Sequence, residues 1–412
     1  MTTNPIIQNP MIFKQTLPNG MDCFTIPKKG YAEKQAAIVV KYGGADADRL
    51  PGIAHFLEHK LFEDPQLSMF DAFTQQGASV NAYTHFTHTV YHFSTVQSFP
   101  EHLQTLFRLI NTPHFTEENV EKEKGIILAE IDMYADNPFW QVYTGLHRAL
   151  FSVSPLRQEI LGTRESVQTI QPDQLYECYH QFYTPDNMAL ICIGDFEPTQ
   201  VTKWSKTFAH PNGRKMRPFD PRSILADEPA QAAAPFIAQQ MPVSIPLFQL
   251  GFKALYEAVC SPITMAASHI LIDMIAGESA KLYADLYDLG MIDNQFSVEY
   301  IGGTSYGIFM IAGASPQPEA VRERILQAIA KAKAHGLDSR RFEIIKGKHI
   351  GRYVRGFNSI ETLSSIQADM FTRGQDIAQA LEAFCSVTLE DAEVQLHAVL
   401  NEAHCALSVI RP

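Results

Sequence analysis

The chain has 412 residues, 46% hydrophobic and 19% charged, a globular balance that excludes a disordered or collagen-like chain and suits two or three domains of roughly 150 residues. Its 45 acidic and 33 basic residues leave a net charge of −12, which argues against a nucleic-acid partner gripped through its phosphates and against an anionic membrane surface. No apolar run approaches the ~20 residues of a spanning helix, and Met1 to Gln8 has neither the basic start nor the apolar core of a secretory signal, so a soluble, cytoplasmic protein is expected.

In chain order, the first half reads as α+β. Phe13 to Leu17 and Asp22 to Ile26 flank Pro18-Asn19-Gly20, a hairpin signal, since Gly takes the positive φ the turn needs. Gln35 to Tyr42 is a strand stopped by Gly43-Gly44. A short amphipathic helix through Phe62 follows Pro51-Gly52, and a second covers about Ser68 to Gln76. Strands are expected at Ser79 to Thr84 and Thr89 to Thr95, and helices at about Pro100 to Asn111 and Thr116 to Tyr134, with Thr116 as N-cap. Leu190 to Gly194 closes the half as a buried strand. Seven prolines between His210 and Pro246 then mark a linker. Beyond it the order is similar: strand Leu247 to Phe252, helix Pro262 to Ile275, strands Phe296 to Tyr300 and Tyr306 to Ile311, further helices to about Leu400, and strand Ala406 to Ile410. The expected organisation is therefore an N-terminal domain over 1–210, a Pro-rich linker over 211–246 and a homologous C-terminal domain over 247–412. Cys23, Cys178, Cys192, Cys260, Cys385 and Cys405 lie far apart without paired spacing, as reduced, mostly buried thiols do.

The chemistry concentrates in Gly52-Ile53-Ala54-His55-Phe56-Leu57-Glu58-His59. On a helix His55 and His59 are i and i+4, so both imidazoles project from one face and can grip one metal ion. Glu58 stands beside them, and Phe56 and Leu57 turn away as core anchors. This is the H-x-x-E-H pattern of inverzincin peptidases. Seventy-one residues beyond His59 lies Glu130, preceded by Glu123 two helical turns earlier, so both carboxylates share a face, with Ile126, Ile127 and Ile131 as apolar flanks. Two imidazoles and a carboxylate would leave zinc one open position, at which water is acidified to a pKa near ~7. His85, His88 and His92 lie in a strand-like run that turns 85 and 88 to opposite faces, so they are taken as structural or surface histidines.

From about Phe13 to Thr207 the chain resembles the catalytic half of the pitrilysin, insulysin and mitochondrial-processing-peptidase family of zinc peptidases. The resemblance rests on Leu17 to Gly20, Gly52 to Phe62, Gly77 to Thr84, Glu121 to Glu130, Tyr183 to Met188 and Gly194-Asp195. The match over His55 to Glu63 and Glu121 to Pro138 is nearest a bacterial branch whose members act as paired subunits. The resemblance implies two homologous α+β domains forming half of a clamshell, each a mostly antiparallel sheet with helices packed on it. It implies that His55, His59 and Glu130 bind zinc, that Glu58 is the catalytic base and that Glu123 is a supporting carboxylate needed for activity. It also implies that Ser79 to Thr84 is an edge strand on which Asn81 and Ala82 contact the substrate backbone, a mode that reads amides rather than side chains.

The second half carries no metal motif. Ser279 to Leu286 resembles the family segment that leads to a carbonyl-binding Arg and, seven residues on, a Tyr; here those places fall on Tyr287 and near Asp293. The resemblance thus implies a zinc endopeptidase for peptides or leader sequences, partnered by a homologous subunit that lacks H-x-x-E-H but supplies the Arg and Tyr, with a homodimer as the other arrangement. A non-enzymatic scaffold or a peptide-binding subunit of a larger complex is the competing class; such scaffolds can dispense with the four residues His55, Glu58, His59 and Glu130, all present here.

Overall fold

A computed structural model describes residues 11–46, 50–209, 224–225, 227–255, 259, 261–303 and 305–412. The first half of the chain runs β1 (Phe13–Thr16), β2 (Asp22–Pro27), β3 (Lys34–Val40), α1 (Ile53–Lys60), α2 (Met69–Thr74), β4 (Ser79–Thr84), β5 (Thr89–Thr95), α3 (Phe99–Asn111), α4 (Glu117–Ala135), α5 (Pro138–Leu150), α6 (Arg164–Thr169), α7 (Pro172–Phe182), β6 (Met188–Gly194) and α8 (Pro198–Phe208). The second runs β7 (Phe236–Gln240), β8 (Leu247–Leu255), α9 (Pro262–Ala276), α10 (Lys281–Asp288), β9 (Ser297–Gly302), β10 (Tyr306–Ala314), α11 (Pro318–His335), α12 (Ser339–Gly356), α13 (Ile360–Thr372), α14 (Ile377–Ser386), α15 (Leu389–Ala398) and β11 (Cys405–Arg411). The expected strands and helices up to β5 fall within a few residues of these bounds. No helix of the described residues is long and apolar enough to cross a membrane. Cys23, Cys178, Cys192 and Cys405 are buried and Cys385 is exposed, none of these five in a disulfide, while Cys260 lies outside the described residues.

The strand orders reveal the duplication. One sheet is ordered β1-β2-β6-β3-β5-β4 and the other β7-β11-β8-β10-β9. In both, the early strand pairs parallel with the last one (β2 with β6, β7 with β11) and every other pairing is antiparallel. β7 is thus the counterpart of β2. This corrects the linker: the stretch 211–246 contains Phe236–Gln240, which is a sheet strand despite the surrounding prolines because it lies at a sheet edge, where one side of the backbone needs no partner.

The chain forms two compact units that cut across the sequence halves. One comprises Met1–Ile131, Glu159–Phe219 and Val354–Ile377; the other comprises Asp132–Gln158, Asp220–Tyr353 and Ala378–Pro412. The third helix after each hairpin changes sides: α5 packs on β8 and β11, and α13 on β3 and β6. That is why β6 is buried along its whole length and β3 along almost all of it, with no alternation of polar residues. In the first unit Ile38 and Val40 of β3, Tyr91 and Phe93 of β5, Phe56 and Leu57 of α1 and Leu103 and Phe107 of α3 share one core.

Candidate metal centre

α1 begins at a fixed point. Gly52 caps it in a left-handed conformation (φ 87°), and a Cβ there would stand 2.4 Å from the Leu161 carbonyl oxygen, so the position requires glycine. Ile53, Ala54, Phe56 and Leu57 are buried and lock the helix rotation, which turns His55, Glu58 and His59 to the opposite side. α4 starts on a reciprocal cap: the Asn119 amide donates to Thr116 Oγ1 (3.2 Å) and the Thr116 amide to Asn119 Oδ1 (2.9 Å). Val120 and Ile127 anchor it in the core and Ile131 packs partly against it. Ile126, expected as a flank, is instead 49% exposed, because it precedes the buried Ile127 by one residue, which is about 100° around the helix and off the buried stripe.

These two helices bring His55, His59 and Glu130 together, with one ligand atom of each lying within 4.8 Å of the others. Among the described residues this is the one cluster of three such side chains within ligand reach. Glu130 Oε2 is 3.7 Å from His55 Nε2 and 3.6 Å from His59 Nε2. A tetrahedral site with bonds of about 2.0–2.1 Å has edges of about 3.3–3.4 Å, so only small adjustment is needed.

The protonation chemistry fits a cation. Burial, with His59 beside it, pushes the His55 pKa down to about 3, so its ring is neutral at physiological pH. Its Nδ1 is buried without a hydrogen-bond partner. His59 Nδ1 lies 3.1 Å from Glu123 Oε1; donating its proton there leaves the Nε2 lone pair facing Glu130. Burial lowers the His59 pKa, but the Glu123 hydrogen bond and the charges of Glu58, Glu123 and Glu130 outweigh it and raise the pKa overall. Carboxylates that draw a proton onto His59 draw a metal cation for the same reason, and the neutral-imidazole and carboxylate set suits zinc.

Around the three donors the second layer is equally ordered. Glu123 is buried and its carboxyl is held below the ordinary range: burial opposes this, but the His59 hydrogen bond and charge and the Lys60 charge prevail. Glu58 accepts a 2.6 Å hydrogen bond from Thr84 Oγ1, and burial, with the charge of Glu130, raises its pKa against the pull of Thr84 and His59. Thr84 ends β4, the edge strand of the sheet, whose Ser79 and Asn81 are exposed. Asn81 and Ala82 therefore sit on the same free edge as the residue that holds Glu58. Thr84 and Lys60 are the two site residues that sequence reasoning missed; both adjoin quoted motifs, yet no periodicity signals where a Thr hydroxyl or a Lys ammonium points.

His92 lies on β5 as expected, whereas His85 and His88 are placed differently from expectation. Residues 85–88 form the turn between β4 and β5, closed by the His85 amide donating to the His88 carbonyl (2.7 Å), so the two rings are neighbours with centroids 5.0 Å apart rather than opposed. His88 is buried, with Nε2 4.0 Å from Asp369 of α13, and burial pushes its pKa down to about 3.

Two units of like strand order, with the H-x-x-E-H helix and Glu130 brought together in the first, form the architecture of M16 peptidases. The insulinase (peptidase family M16) pattern matches residues 28–164 and the M16 inactive-domain pattern residues 169–348. The uncharacterized zinc protease YmfH of Bacillus subtilis is 34% identical over 409 residues, 93% of this chain and 92% of that protein. The mitochondrial-processing peptidase subunit beta of Dictyostelium discoideum is 28% identical over 198 residues, 46% of this chain and 42% of that protein. The crystal structure of an M16-like peptidase from Alicyclobacillus acidocaldarius superposes with a TM-score of 0.89 at 30% identity, covering 99% of both chains. The chain belongs to the M16 peptidase family.

Proposed function

We propose that the chain is a zinc-dependent endopeptidase, the zinc-bearing subunit of a heterodimer that hydrolyses peptides or leader sequences. The observation that carries this reading is the convergence of His55 Nε2, His59 Nε2 and Glu130 Oε2, with Glu58 on the helix that carries both histidines. His55, His59 and Glu130 would hold zinc, which when bound supplies the Lewis acidity that activates water and polarises a carbonyl. Glu58 accepts the proton of the attacking water and returns it to the leaving amine. Burial raises its pKa above the ordinary carboxylate value, the direction that a group exchanging a proton with water near neutral pH needs. Glu123 orients His59 through Nδ1. The free edge of β4 at Asn81 and Ala82 pairs with the peptide backbone, which makes recognition tolerant of side chains.

The partner assignment rests on the second half. Tyr287 is 52% exposed on α10, and Asp293 follows in the loop; neither offers the cationic donor expected of a self-sufficient member. A relative is named as a subunit, beta, of a processing peptidase.

The test is elemental analysis together with cleavage of an unstructured peptide by the chain alone and mixed with a homologous subunit. One zinc per chain is expected, lost in His55→Ala and Glu130→Gln. Glu58→Gln should keep the metal and lose 10²–10⁴-fold in turnover. Full zinc retention by both ligand variants would overturn the ligand assignment. Robust cleavage by the chain alone would overturn the heterodimer.

A further inference from the structure

Lys60 follows His59 directly, and its side chain is wholly buried. An ammonium is found there only with partners. Its Nζ lies 2.6 Å from Glu63 Oε2, donates to the Asn119 carbonyl at 3.1 Å and stands 3.8 Å from Glu123 Oε2. Glu63 lies three residues on; Asn119 and Glu123 belong to α4. Lys60 therefore reaches from the helix that carries both histidines to the helix that carries both carboxylates.

The chemistry of Glu123 makes this reach consequential. Its Oε1 is engaged with His59 Nδ1, and in a buried setting Oε2 needs a positive or donating neighbour, which Lys60 provides. A bare cation this near a metal site would repel the metal. Glu63, at 2.6 Å, offsets part of this charge, so Lys60 supports Glu123 by its position as well as by its charge.

Resting on the zinc reading above, we propose that Lys60 is a positioning residue of the zinc site: it ties α1 to α4 and fixes the Glu123 carboxylate against His59 Nδ1, which keeps His59 Nε2 aimed at the point shared with His55 and Glu130. Nothing in the H-x-x-E-H pattern asks for a lysine here.

The experiment is a double-mutant cycle on zinc affinity, measured for the full chain by competition with a chromophoric chelator, with thermal unfolding of each metal-free variant alongside. Lys60→Met preserves side-chain length and removes the ammonium. It should weaken zinc binding about 10–100-fold, the range for groups that orient a metal-binding histidine. Glu123→Gln should do likewise. In the Glu123→Gln background, Lys60→Met should cost no more than a further twofold, because its route of action is already gone. General damage to the fold would instead add in full. Should Lys60→Met fail to fold for want of a partner for Glu63, Lys60→Met/Glu63→Gln removes the orphaned charge and is carried through the same cycle. Zinc binding by the lysine variants within twofold of wild type, or full additivity with Glu123→Gln, overturns the proposal. A wild-type chain that binds no zinc overturns the zinc reading itself, and this inference with it.

Discussion

Thr84→Val is the sharpest probe of the proposed base. Valine matches threonine in shape and strand preference, so the change removes one hydroxyl and little else. That hydroxyl donates to Glu58 Oε2 at 2.6 Å. The neighbouring Thr89 hydroxyl, 3.3 Å from Thr84 Oγ1, cannot take over, because its proton is committed to the Tyr42 carbonyl at 2.9 Å. A hydrogen bond to a charged group contributes about 1.5–3 kcal/mol. If the Glu58 carboxylate must hold this orientation to take a proton, the loss corresponds to roughly 10- to 150-fold in kcat/KM. The assay is cleavage of a quenched fluorescent peptide by the zinc-loaded, partnered enzyme, with the zinc content of each variant measured in parallel. Thr84→Ser, which keeps the donor, should stay within about threefold of wild type; Thr84→Val should lose kcat while retaining zinc. A valine variant as active as the serine variant would refute the reasoning, as would a loss fully explained by missing metal.

Two further predictions concern the frame. Glu228 is wholly buried and accepts the amides of Ser152 (3.0 Å), Val153 (2.8 Å) and Ser154 (2.8 Å) together with Lys253 Nζ at 2.6 Å. Burial raises its pKa, but Lys253 and the three amides prevail and hold it at about 2, below its ordinary 4.5. Because the folded pKa is the lower one, its stabilisation is complete above about pH 4.5 and is lost as the pH falls through 2; the gap corresponds to about 3 kcal/mol. Glu228→Gln should therefore cost about 3–5 kcal/mol at pH 7, where Lys253 is left unpaired, and show a flatter decline between pH 4.5 and 2 in chemical unfolding; equal slopes would contradict the assignment. Gly52→Ala should cost about 1–2 kcal/mol for the left-handed backbone alone. The clash with Leu161 adds to this, so a lowered melting temperature and weakened zinc binding together are expected in calorimetry and chelator competition.

The two helices that carry His55, His59 and Glu130 were legible because their signals are local, whereas their meeting spans 71 residues and was expected only from the family resemblance. The i, i+4 histidines and the seven-residue glutamate spacing need only helix geometry, and α1 and α4 formed within a few residues of expectation. β4 and β5 were equally readable from β-branched and aromatic residues bounded by turns. The unit boundaries were not, since amphipathicity shows that a helix buries one face and not which sheet receives it. α5 illustrates this: Asn137 caps it and Pro138 opens it, signals present in the sequence, but its packing on β8 and β11 is a long-range choice. β7 was hidden for a related reason. As an edge strand with four of five residues exposed, it carries no buried-strand pattern.

The duplication also accounts for the silence of the second unit. Between matching strands, α9 occupies the place of α1 and α12 the place of α4. In the first unit that helix pair meets through histidines and glutamates whose lone pairs converge. In the second it meets through Asp273 of α9, which lies 3.1 Å from His349 Nε2 and 2.7 Å from Lys348 Nζ, both on α12. Burial opposes ionisation of Asp273, but these two partners hold its pKa at about 2. One arrangement gathers acceptors around a point that a proton or a metal cation can fill; the other places the cation on the protein, as a lysine, and closes without one. Lys60 of the first unit is likewise a lysine beside carboxylates, one residue outside the donor set, and on the zinc reading proposed above it would support Glu123 while leaving the donors to the metal.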